Sequence, residues 1–102
     1  MQEKKKYLNC YLIQEALIER YSKMILINPE NKDYYNQKIS NAKSLRKDIE
    51  NKIALVDDNI LCEILYQKYV LGRTLEDISY IINYSKRHTE RLHIKALEKF
   101  NV

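Results

Sequence analysis

The chain has 102 residues, is 45% hydrophobic and 31% charged, and carries a net charge of +4. That balance supports one folded domain with a modest core and excludes a disordered polymer. One glycine and one proline leave little material for hairpins, barrels or phosphate-cradling loops, so the expected fold class is all-α.

The first helix is expected from about residue 4 to 27. Its apolar residues recur as Tyr7, Cys10/Tyr11, Leu17/Ile18, Tyr21 and Met24/Ile25, close to a 3.5-residue period. Leu8, Leu12, Ala16 and Leu26 widen the apolar arc, with Gln14 as a polar exception. Asn28-Pro29 breaks the helix, because proline lacks a backbone donor and disfavours helix in the residue before it. The second helix is expected over 31–55, with a narrow stripe of Tyr35, Ile39, Ala42, Leu45, Ile49 and Ile53. Lysines and arginine stud its opposite face. A narrow stripe needs one partner, so the two helices should form an antiparallel hairpin. Helix one, apolar over more of its surface, must then be covered further by the C-terminal half or by a second subunit.

Asp57 or Asp58 can cap a third helix running to about Leu71, which Gly72 stops. Thr74 caps a short helix from Leu75 to about Ile82, with Asp77 at the capping-box position. Asn83-Tyr84-Ser85 make a tight turn, and the last helix should occupy 86–100. The organisation expected is a hairpin over 1–56 and a second unit over 57–102.

Charge is distributed unevenly. Residues 57–77 hold five acids against Lys68 and Arg73, a net of −3. Residues 86–99 hold five bases against Glu90 and Glu98, a net of +3. The stretch NYSKRHTERLHIKALEKF (83–100) also contains the only two histidines, His88 and His93. They lie five apart, about 140° around a helix, where ligands on one face sit three or four apart. With no CxxC and no clustered carboxylates to complete a set, no metal or other cofactor is expected. Cys10 and Cys62 read as buried free thiols in a reducing compartment. Ser85 reads as a helix cap rather than a nucleophile, and Asp57-Asp58 as capping rather than an acid/base pair, so no enzyme is expected. The polar N-terminus and the lack of a long apolar run point to a cytoplasmic chain with no membrane partner.

Helical phase separates a merely solvated face from a binding one. Thr89, Leu92, Ala96 and Phe100 share one side of the last helix and should face the core. Arg87, Arg91, Ile94 and Lys95 share the other, flanked by His88 and Glu90. A short helix, a tight turn and a longer basic helix are the parts of a helix-turn-helix, whose second helix enters the DNA major groove.

TLEDISYIINYSKRHTERLHIKALEKF (74–100) closely resembles region 4 of the bacterial sigma-70 family, which recognises the −35 promoter element. Thr74-Leu75-Glu76-Asp77-Ile78 matches the start of that family's first motif helix. Ser85, Lys86, Leu92, Lys95, Ala96-Leu97 and Lys99 fit its second. The chain has no room for the region that binds core polymerase, and its layout looks like small Gram-positive phage regulators of the ArpU and RinA type. The resemblance implies a three-helix region-4-like motif with DNA-reading positions at Lys86, Arg87, Glu90 and Arg91, and Lys95 nearer the backbone. His88 and Lys99 join these as expected phosphate contacts. Glu90 departs from the arginine common in sigma factors, and Thr89 from an aliphatic residue. Glu90 could accept from cytosine or pair with Lys86.

The expected function is a sequence-specific, phage-derived transcription regulator that binds double-stranded DNA and dimerises through residues 4–55. The alternative is a small phage-type interaction protein that binds RNA polymerase or another host protein through the same fold.

Overall fold

The computed structural model describes residues 1–102, and every element in it is helical. The order is α1 (Gln2–Ile27), a single 3-10 turn (Pro29–Asn31), α2 (Lys32–Ala54), α3 (Asn59–Leu65) continued by a π-helical turn (Tyr66–Val70), α4 (Leu75–Ile82) and α5 (Lys86–Lys99).

Helix α1 ends where expected. The Asn28 N–H still donates to Met24 O at 2.8 Å, and Pro29 then opens the 3-10 turn. Helix α2 returns antiparallel along α1. Cross-links mark the descent: Tyr7 donates to Asp48, Arg46 donates to Glu15 at 2.5 Å, and the Tyr21 and Tyr35 rings stack at 5.9 Å. Every residue of the expected α2 stripe is buried or half-buried. On α1 the seam residues are too, whereas Leu12, Ala16 and Leu26 face solvent.

The rest of the chain packs on the open end of this pair. One core of 12 buried residues joins Leu8, Tyr11, Ile49, Ile53 and Val56 to Leu61, Leu65, Tyr69, Val70, Ala96, Leu97 and Phe100. Both halves of the chain therefore share one apolar interior. Each fully buried side chain of leucine or phenylalanine size contributes about 1.5–3 kcal/mol. Two interactions tie the chain's ends together. Lys4 Nζ donates to Leu97 O at 2.9 Å and Glu98 O at 3.3 Å, placing a cation on the carbonyl end of α5, where the helix dipole favours one. The Tyr7 ring also lies 6.1 Å from that of Phe100. The C-terminal half thus covers the start of α1, one of the two alternatives for covering its wide apolar arc.

The far part of the hairpin has no such cover. Between Tyr11 and Ala42 no residue is buried, and the molecule measures 52 × 24 × 21 Å. Its radius of gyration, 16.1 Å, exceeds the roughly 13 Å of a compact chain of this length. The excess is a two-helix arm that projects from the shared core, with Leu26 and Ile27 82% and 76% exposed at its tip.

The third helix differs from expectation. It stays α-helical only to Leu65, and the last turn widens so that the Leu71 N–H reaches Tyr66 O, five residues back, at 3.1 Å. Gly72, at φ 73°, then turns the chain so that the Arg73 N–H reaches Gln67 O at 3.0 Å. A left-handed backbone of this kind suits glycine, which has no Cβ to clash.

Candidate nucleic-acid interface

Local chemistry fixes the α4–turn–α5 unit. Thr74 Oγ1 accepts from the Asp77 N–H at 3.1 Å and starts α4. Asn83 ends it at φ 61°, ψ 42°, a left-handed conformation that asparagine tolerates better than most residues. The Tyr84 N–H closes back on Ser79 O at 3.0 Å. Ser85 Oγ then accepts from the His88 N–H at 3.1 Å and starts α5. Asp58 does the same for α3, accepting from the Ile60 and Leu61 N–H groups at 2.9 and 3.1 Å.

The inner row of α5 sets its rotation. Thr89, His93, Ala96 and Leu97 are buried, as is Phe100 just beyond the helix. Two assignments made from the sequence change here. Leu92 is only half-buried, at the edge of the core rather than in it. His93, counted with the basic stretch, belongs to the interior. Its Nε2 and the Tyr69 hydroxyl are hydrogen-bonded at 2.8 Å, so that nitrogen is satisfied within the interior. Burial, reinforced by Lys68 and Lys5, pushes the His93 pKa down to about 4, so it is neutral at pH 7. Burial likewise pushes the Tyr69 hydroxyl up to about 12. Thr89 is tolerated in the interior because its hydroxyl donates back to Ser85 O at 2.9 Å.

With that row inward, Arg87, Glu90, Arg91, Ile94 and Lys95 are exposed, as are Lys86 at the start and Lys99 at the end. His88 is half-buried, its ring edge-on to Tyr84 at 4.9 Å. None of these charges forms an ion pair within the chain. The chain's three ion pairs, Lys23–Glu19, Arg46–Glu15 and Lys52–Asp48, all lie on α1 and α2. Glu90 does not pair with Lys86, so its carboxylate remains available to an outside donor. No three His, Cys, Asp or Glu side chains converge in a metal-holding group. No helix is long and apolar enough to cross a membrane.

The two ends of α5 have different neighbours. Lys95 and Lys99 line a groove shared with Asp57 and Asp58 from the α2–α3 turn. Lys86 instead lines a groove with Lys68, Arg73, Thr74 and Glu76. Lys68 and Arg73 were not singled out from the sequence, because they fall in its acidic segment and only folding brings them beside α5. No family model, curated protein or solved structure matches the chain.

Proposed function

We propose that the protein is a sequence-specific DNA-binding transcription regulator of the sigma-70 region-4-like helix-turn-helix kind, phage-derived, with α5 as its recognition helix. One observation carries this reading: the buried row of α5 turns Arg87 and Arg91 outward together, four residues apart, with no ion pair on either. An arginine fork suits the O6 and N7 acceptors of guanine, and an exposed aliphatic such as Ile94 suits the thymine methyl. Glu90 can accept from cytosine N4. The projecting arm is the natural surface for a homodimer through residues 4–55, since its seam is only half-buried and Leu26 and Ile27 are exposed at its tip. Selection of bound sequences from random duplex DNA at two salt concentrations tests the function. Enrichment of one motif is expected, and enrichment of none at either salt would reject it.

A second reading has its own observation. Tyr80 is 77% exposed, and Ile81 and Tyr84 beside it are also open, a patch suited to a protein partner such as RNA polymerase. An interaction protein of this kind would bind its partner with DNA absent, and would lose binding on Tyr80→Ala but not on Arg91→Ala.

A further inference from the structure

We infer that the DNA backbone crosses the groove where Lys68, Arg73 and Lys86 meet, and that these three side chains hold its phosphates in place of Lys95 and Lys99. The inference rests on the DNA-binding reading above and adds the path of the duplex across the protein.

The three cations come from separate elements: Lys68 from the π-helical turn, Arg73 from the loop behind Gly72, and Lys86 from the first position of α5. They line one groove in which Glu76 is the only carboxylate, a net of +2 from three bases and one acid. The groove at the far end of α5 holds Lys95 and Lys99 against Asp57 and Asp58, two bases and two acids with no net charge. A polyanion with one negative charge about every 1.7 Å of helix axis is attracted to the first groove and meets two carboxylates at the second. Salt screens over roughly 8–10 Å, so such local balances, and not the chain's total of +4, decide where a phosphate rests.

The side chains are also suitably held. The Arg73 guanidinium donates to the Gln67 side chain, which orients the group and leaves others of its five N–H donors open. Lys68 is half-buried, and its ammonium makes no hydrogen bond within the chain, lying 5.7 Å from the Tyr69 ring centroid. Thr74 lines the same groove; its hydroxyl accepts from the Asp77 N–H and keeps its own O–H to donate to a phosphate oxygen beside the cations. Lys86 belongs both to this groove and to the exposed side of α5. A strand passing over the groove is therefore continuous with one read by Arg87 and Arg91.

Salt dependence separates the two paths. The full chain, Lys68→Gln/Arg73→Gln and Lys95→Gln/Lys99→Gln would each be titrated against selected and scrambled duplexes across a salt series, with helicity checked by circular dichroism. Removing the groove pair should weaken binding to both duplexes alike and lower the log–log salt slope by about two units, about one for each phosphate no longer neutralised. Removing the C-terminal pair should leave the slope at the wild-type value. Should the groove double variant lose helical signal, the single Lys68→Gln carries the test, with an expected drop of about one unit. A wild-type slope in the groove variant, or an equal drop in both pairs, overturns the inference. Loss of selectivity in Arg87→Ala beside a wild-type slope in the groove variant would remove the groove and leave the regulator intact. A wild-type protein that binds neither duplex removes both.

Discussion

Acidification from pH 7 to pH 4.5 should weaken this fold through His93. The ring is buried against Tyr69 and its pKa is lowered to about 4, whereas an unfolded histidine titrates near 6.5. Above pH 6.5 the ring is neutral in both states and its contribution to stability is fully present. Below that, the unfolded chain takes up a proton that the folded chain refuses, so stability falls with pH until the folded ring titrates near 4. The loss is about 1.4 kcal/mol per pH unit, or about 2–3 kcal/mol by pH 4.5. That is a substantial part of the roughly 5–15 kcal/mol that stabilises a typical domain. His93→Gln keeps a donor and an acceptor for Tyr69 and removes the titration. Urea melts followed by circular dichroism at both pH values give the comparison, and carboxylate titrations common to both proteins cancel in the difference. The wild type should lose about 2–3 kcal/mol more than the variant. Equal losses would show that His93 is not held neutral in the interior beside Tyr69.

Light scattering at tens of micromolar should return twice the 12.3 kDa chain mass, whereas a monomer mass would remove the arm as a dimer interface. Phe100→Ala should cost about 3–5 kcal/mol in a urea melt, because Phe100 is fully buried in the core beside Tyr7; a loss under about 1 kcal/mol would mean that the C-terminus does not seal that core. Asn83→Ala should destabilise by about 1 kcal/mol while Asn83→Gly does not, since position 83 is left-handed; equal effects would place the turn in another conformation.

The helix boundaries were legible because their causes are local. Asp58, Thr74 and Ser85 announce helix starts by side-chain chemistry that acts within three residues, and Gly72 and Asn28-Pro29 announce stops. The α2 stripe was legible because a narrow seam leaves one packing solution. Three features were not. The π-helical turn over 66–70 changes the hydrogen-bond register from four to five residues, and side-chain periodicity hardly registers that. His93 shares the inner phase of Thr89 and Ala96, four residues after one and three before the other, but the polar partner that lets a histidine stay there, Tyr69, is 24 residues earlier and is not indicated by the sequence. The opposed grooves at the ends of α5 arise from tertiary approach: Asp58, which caps α3, and Asp57 line one groove with Lys95 and Lys99, while Lys68 and Arg73 line the other with Lys86. At the site itself, the outward placement of Arg87, Glu90, Arg91 and Lys95 was legible from phase alone. The environment of each cation required the fold.

The central claim is that α5 reads base edges, and binding of Arg87→Ala and Arg91→Ala to specific and scrambled duplexes tests it most directly. Each substitution should cost about 1–3 kcal/mol on the selected duplex and relax the preference at one base position, with little change on the scrambled one. Both side chains are exposed and unpaired, so helicity and melting should stay at wild-type values. Variants that fold normally and keep wild-type affinity and selectivity would contradict the account, because α5 would then not be a recognition helix.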